Sequence, residues 1–137
     1  MSDFMHEYGP QIFLAIVVGW ILWTRMLAPK LAGVHGISAE DYMTRWRNEP
    51  HTLVDVRSEG EWQNGHAPGA LHIPLQELSR RMREIPDNKP VICICASGNR
   101  SSMASYAIAK AGRKPVYNFS GGMGAWSGAG LPVKQGA

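Results

Sequence analysis

The chain predicts an α/β domain, a parallel five-stranded sheet with helices on both faces, preceded by one transmembrane helix. Three observations carry that expectation. Short apolar runs alternate with stretches of helical character across residues 34–137, the spacing of successive β–α–β units. The runs Thr52–Val56 and Val91–Cys95 are almost continuously apolar, as strands covered on both faces must be. No charged residue occurs from Tyr8 to Thr24.

The N-terminal segment divides into a short tail (1–10), a transmembrane helix (11–28) and a linker (29–33), with the α/β domain filling 34–137. Ile12–Trp23 is apolar throughout, and the stem of Arg25 can snorkel, so the span reaches about 20 residues. Trp20 and Trp23 lie near one end, where interfacial aromatics belong. A cleaved signal peptide wants basic residues ahead of the apolar run, whereas the Met1–Glu7 leader carries Asp3 and Glu7. A core helix would show a polar face, and this run has none. Arg25 and Lys30 follow the span and no Lys or Arg precedes it. The positive-inside rule therefore expects a single pass through the inner (plasma) membrane, N-terminus outside and domain in the cytoplasm. All 14 basic residues but only nine of the 11 acids lie from Arg25 onward, which leaves that part at +5, suited to an anionic leaflet.

Within the domain, Val34–Ile37 is the first strand, and Ser38-Ala39-Glu40-Asp41 opens a helix with Ser38 as N-cap. Tyr42, Met43 and Trp46 form its apolar stripe. Thr52–Val56 is the second strand, Ser58–Gln63 a short helix closed by Asn64-Gly65, and Ala70–Ile73 the third strand. Leu75–Glu84 reads as a helix whose Arg80, Arg81 and Arg83 form a solvated face. Val91–Cys95 is the fourth strand, Ser101–Ala111 a helix of small residues ended by Gly112, Val116–Phe119 the fifth strand and Gly122–Ala129 the last helix.

With 137 residues, 45% hydrophobic and 18% charged, the chain is one ordered domain rather than a disordered or disulfide-dense one. A net charge of +3, scattered along the sequence, gives no reason to expect nucleic acid as partner. Cys93 and Cys95 stand one residue apart, too close for an unstrained disulfide, so free thiols in a reducing compartment are expected. The five His are dispersed and the two Cys lack ligand spacing with them, so no metal is expected.

In parallel sheets ligands bind at the C-terminal ends of strands. One such end carries obvious chemistry: Cys95-Ala96-Ser97-Gly98-Asn99-Arg100-Ser101 joins a buried strand directly to a helix. A thiol there faces backbone N–H groups and the positive end of a helix dipole, Gly98 lets the loop curl, and Arg100 adds a cation at the rim. These effects favour the thiolate, so Cys95 is expected below the value of a free thiol, as a nucleophile requires.

Taken with this loop, the sequence resembles a single-domain rhodanese, a sulfurtransferase, over residues 34 to 133. The resemblance includes Leu53-Val54-Asp55-Val56-Arg57, Glu61, Gly65-His66-Ala67-Pro68-Gly69-Ala70, the Cys95 loop, and Gly121-Gly122-Met123-Gly124-Ala125-Trp126. It implies that Cys95 takes a sulfane sulfur from thiosulfate or another persulfide donor, becomes a persulfide, and passes the sulfur to cyanide or a thiol. It also implies that the loop residues Ala96, Ser97, Gly98, Asn99, Arg100 and Ser101 hold the persulfide, with Arg100 attracting an anionic donor. No cofactor is implied. The partners are a small sulfur donor and a thiol acceptor, a low-molecular-weight or protein persulfide standing as donor beside thiosulfate; the single helix adds the membrane and points to a membrane-protein partner of the sulfide-handling enzyme or transporter kind.

Two other readings compete. Phosphatases and arsenate reductases of related fold place five residues between Cys and Arg, whereas four intervene here, a ring better sized for sulfur than for a tetrahedral oxyanion. A membrane-tethered binding module would keep the fold without the chemistry, though such domains usually lose the cysteine. Cys93 is expected as a small core residue rather than a resolving thiol. Asp55 and Arg57 are expected to pair and hold neighbouring loops, Arg57 also being a candidate substrate-binding residue. His66, before the Ala67-Pro68-Gly69 turn, is expected to hydrogen-bond structurally rather than move protons. Gly121 and Gly122 are expected at a close approach of helix and loop, Trp126 in the core, and Met123 at the pocket mouth.

Overall fold

The computed structural model describes residues 2–136, and for Pro29 and Leu31 the backbone only. Helix α1 (Ser2–Leu22) starts well before the expected span and runs through Pro10. Asp3 lies in its positively polarised first turn, and Phe4 packs on Tyr8 one turn on, with ring centroids 4.9 Å apart. Ser2–Leu27 is long and apolar enough to cross a membrane, and α1 buries no residue against the domain. At Trp23–Leu27 the helix widens into a π-turn. There Thr24 Oγ1 donates to the carbonyls of Trp20 (3.0 Å) and Ile21 (3.2 Å), competing with the backbone ladder. Helix α2 (Ala28–Leu31) follows, and Ala28 is the first of the described residues to bury. Ala32 and Gly33 alone connect α2 to β1.

The sheet comprises β1 (Val34–Ile37), β2 (Thr52–Asp55), β3 (Leu71–His72), β4 (Val91–Ile94) and β5 (Val116–Phe119) in the order β1-β5-β4-β2-β3, every neighbour parallel. All five expected strands are present, with β3 trimmed at both ends and β4 ending one residue before Cys95. Period-two alternation splits β4 between two cores. Val91, Cys93 and Cys95 join Leu78, Ala104 and Ile108, while Ile92 and Ile94 join Tyr42, Phe119, Met123 and Trp126. Helices α5 (Leu78–Arg81) and α6 (Asn99–Lys110) thus supply one core, and α3 (Ala39–Thr44) and α7 (Gly122–Gly128) the other. Val54, Val91, Ile92, Ile94 and Val116 are fully buried, each contributing about 1.5–3 kcal/mol by leaving water.

Local chemistry fixes the helix starts. Ser38 and Asp41 close a capping box on α3, as Ser58 and Glu61 do on α4 (Glu59–Asn64). Leu75–Glu84 departs from the expected single helix. It is a 3₁₀ turn (Leu75–Glu77), the short α5 and a second 3₁₀ turn (Met82–Glu84). Pro74 and Pro86 bracket the segment, and Arg113 reaches across to take the carbonyls of Met82 (3.0 Å) and Ile85 (3.1 Å). Beyond α7 the chain folds back: Lys134 pairs antiparallel with His66, and the Gly136 amide donates to Gln63 O at 2.9 Å.

Candidate active site

Cys95 stands one residue past the end of β4, on the α6 side of the sheet. Gly98, at φ +100°, turns the loop into α6. This turn aims backbone donors back at the cysteine. The Gly98 amide donates to Sγ at 3.0 Å, the Ser97 and Ser101 amides also serve it, and the Ser101 hydroxyl lies 3.3 Å away. Burial alone would push the thiol up. The Ser101 hydroxyl and the amides of Ser101, Ser97 and Gly98 outweigh it and bring Cys95 below its ordinary 9.0. Cys93, two residues back on the same face, is fully buried. Burial first, then the like charge of Cys95, pushes it up to about 12 against a weaker lowering by Ser105, so it stays a thiol.

Helix α7 grips the loop from the other side. The Met123 amide donates to Cys95 O at 2.8 Å. A Cβ on Gly122, whose φ is +56°, would overlap the carbonyls of Cys95 and Ala96. Here the close approach expected of the glycine pair is visible.

Arg100 does not stand free at the rim. Its two terminal nitrogens clasp the Glu61 carboxylate at 2.7 and 2.8 Å, which holds Glu61 down to about 2 and raises Arg100. Glu61 caps α4 at the same time, so the pair ties the Cys95 loop to that helix. Arg57 is buried and engaged at four points: Nε and Nη2 on the Asp55 carboxylate, Nη2 also on Gly65 O at 2.7 Å, and Nη1 on Glu61 O at 3.3 Å. It nonetheless borders, with Ala96, Glu61 and Met123, a cavity of about 390 Å³ beside the loop. His66 is buried face to face on Trp62, ring centroids 3.6 Å apart, its Nδ1 bonded to Trp62 O at 2.8 Å, a structural arrangement. Ala96, Ser97 and Asn99 are exposed, while Ser101 is fully buried beneath the loop.

Asn118 has a place here that sequence reasoning did not give it. Its Oδ1 accepts from the Ser101 hydroxyl at 2.5 Å, and its Nδ2 donates to Gly98 O at 3.2 Å. It thus steadies both side-chain and loop partners of the cysteine. The signal was a polar residue within the Val116–Phe119 strand, whose β-pairing sets it beside Cys93.

The family described as Rhodanese-like domain matches residues 38–129. The chain is 41% identical over 81 residues to the Bacillus subtilis protein named "Putative sulfur carrier protein YrkF", covering 59% of this chain and 44% of that one, so it spans less than half that relative's length. To the uncharacterized Bacillus subtilis YqhL it is 36% identical over 92 residues, 67% of this chain and 71% of the other. Among solved structures, a rhodanese-related protein from Thermoplasma volcanium superposes with a TM-score of 0.67 at 29% identity, over 73% of this chain and 97% of that one. A Rhodopseudomonas palustris protein of unknown function, described as a possible tyrosine phosphatase, gives a TM-score of 0.68 at 25% identity, over 78% and 91%. The matched residues run from the N-cap of α3 to the C-cap of α7 and take in the whole Cys95 loop, so the chain belongs to the rhodanese-like domain family.

Proposed function

We propose that the protein is a membrane-tethered sulfurtransferase working through a Cys95 persulfide. The observation that carries this reading is the cradle at Cys95: a buried sulfur, lowered below its ordinary value, receiving an amide from Gly98 and facing the Ser101 hydroxyl. Among the described residues no His or carboxylate hydrogen-bonds Sγ, and a thiolate attacking a sulfane sulfur needs no general base. With thiosulfate, the Cys95 thiolate attacks the outer sulfur, the S–S bond breaks, and sulfite leaves with the electron pair. The persulfide's terminal sulfur then carries the negative charge, within reach of the same donors. Cyanide or a thiolate attacks that outer sulfur and releases the Cys95 thiolate. Ala96, Ser97 and Asn99, exposed on the loop, meet the donor, and Arg100, its charge balanced by Glu61, borders the loop and reaches an anionic donor only by leaving that pair.

The same geometry speaks against phosphoryl chemistry. Four residues separate Cys95 from Arg100, and the guanidinium is turned onto Glu61, away from the role of clasping a tetrahedral oxyanion. The membrane assignment rests on the apolar helix Ser2–Leu27 and the basic residues that follow it, with the domain on the cytoplasmic side of the inner membrane and a membrane protein as candidate donor or acceptor.

Intact mass of the full chain in detergent, before and after thiosulfate, tests the chemistry. The expected result is a gain of one sulfur atom that cyanide removes, lost in Cys95→Ser and kept in Cys93→Ser. No gain with thiosulfate or a small persulfide would turn the reading to a binding module. Loss in the Cys93 variant alone would transfer the role to the other thiol.

A further inference from the structure

A cavity of about 580 Å³ lies between the π-turn that ends the apolar helix and the outer face of the Cys95 loop. Two kinds of surface line it. Trp23, Met103 and Tyr106 provide apolar and aromatic area, Trp23 and Met103 both being exposed. Arg25 and Arg100 provide charge, and no acid is among the described lining residues. Arg100 is held by Glu61, whereas Arg25 forms no ion pair among the described residues. A site that is apolar on one flank and offers a cation on another fits an anionic amphiphile.

We propose that this cavity seats an anionic phospholipid, its phosphate on Arg25 and its glycerol and first acyl carbons against Trp23, Met103 and Tyr106. The inference rests on the membrane reading above. Its place supports that source of phosphate: Trp23 and Arg25 close the helix that would cross the bilayer, at the depth where headgroups sit. The cavity also borders the thiol's supports. Its wall includes Gly98, whose amide donates to Cys95 Sγ, and Asn118, which holds both the Gly98 carbonyl and the Ser101 hydroxyl. A lipid packed there restrains the turn that sets the reactivity of Cys95, so leaflet composition modulates sulfur transfer.

The test uses the full chain in nanodiscs of phosphatidylcholine alone or mixed with phosphatidylglycerol, with Arg25→Gln and Lys30→Gln. The second variant loses the same charge on the same stretch of chain, at a residue that does not line the cavity. Native mass spectrometry should find phosphatidylglycerol retained in preference to phosphatidylcholine by wild type and Lys30→Gln, and that preference reduced about fivefold in Arg25→Gln. The alkylation rate of Cys95 should differ between the two lipid compositions in wild type and Lys30→Gln and not in Arg25→Gln. Equal losses in both variants would assign the effect to diffuse attraction by a basic domain and overturn the site. So would absence of any preference. Inorganic phosphate reproducing the rate change in detergent would assign the cavity to a free anion instead. Alkaline extraction of sealed vesicles separates the two levels. A chain that washes off refutes the membrane reading, while one that stays without lipid preference refutes the lipid site alone.

Discussion

Around Cys95 two opposed effects meet, and the hydrogen bonds prevail. Its burial disfavours charge, and four hydrogen-bonding groups, one of them the Ser101 hydroxyl, favour it. That hydroxyl has one proton and two acceptors, Sγ at 3.3 Å and Asn118 Oδ1 at 2.5 Å, so its donation to sulfur is the adjustable part. Ser101→Ala is expected to raise the pH at which Cys95 becomes half-reactive toward iodoacetamide. The reactive form is the deprotonated one, so the wild-type rate climbs with pH through a lowered midpoint and then levels. An unchanged midpoint would mean that the amides suffice. This part of the site was legible because it is local: a cysteine ending a buried strand, with Gly98 three residues on, implies the amide nest without knowledge of anything distant. Glu61, 39 residues from Arg100, and Asn118, 17 from Ser101, were not legible as partners. Nothing along the chain joins them, and only the packing of α4 and β5 around the loop brings them there.

Two neighbouring elements hold the loop, and each can be cut separately. Gly122→Ala forces a side chain into the Cys95 and Ala96 carbonyls at a left-handed φ, so a loss of about 2 kcal/mol or more is expected by urea unfolding. Gly124→Ala, two positions along the same helix and facing open space, should be neutral or stabilise by up to about 1 kcal/mol. Equal effects would show that α7 does not press on the loop. On the other side, Glu61→Gln cuts the tie to α4. The Glu61 carboxyl is depressed from 4.5 to about 2, chiefly by Arg100, so its stabilising contribution is present above pH 4.5 and is lost as pH falls toward 2. The stability gap between wild type and Glu61→Gln should therefore be widest near neutrality and close across that acidic window. A gap independent of pH would mean that the side chain acts through packing. Strands were read well at this scale because β4 is apolar throughout and β2 keeps Leu53 and Val54 buried at its centre, with its polar residues only at its two ends. Leu75–Glu84 is not the single helix its sequence suggests: its C-terminal carbonyls at Met82 and Ile85 are claimed by Arg113, a residue on the far side of β4 in sequence.

Taken as one molecule, the chain divides its charge unevenly: every basic residue lies at or beyond Arg25, after the apolar run. Protease added to sealed, right-side-out membrane vesicles is accordingly expected to spare the domain and to digest it once the vesicles are opened. Digestion in intact vesicles would reverse the orientation. The apolar run and its flanking charges were readable directly, being properties of composition. The helix from Ser2 and the π-turn at Trp23 were not, since they depend on how neighbouring turns share hydrogen bonds.

The join between helix and domain has a consequence for encounter. With Ala32 and Gly33 alone between α2 and β1, the domain has little slack on the helix that precedes it. Anchored as proposed, Cys95 sweeps a plane rather than a volume, within a layer whose depth is set by the domain's own size, with a radius of gyration of about 13 Å. A freely diffusing sulfur compound reaches it as it would any soluble enzyme. A protein carrier finds it efficiently only by entering that layer, so the geometry favours exchange with neighbours confined to the same surface, where search is lateral and dilution into bulk solvent is absent.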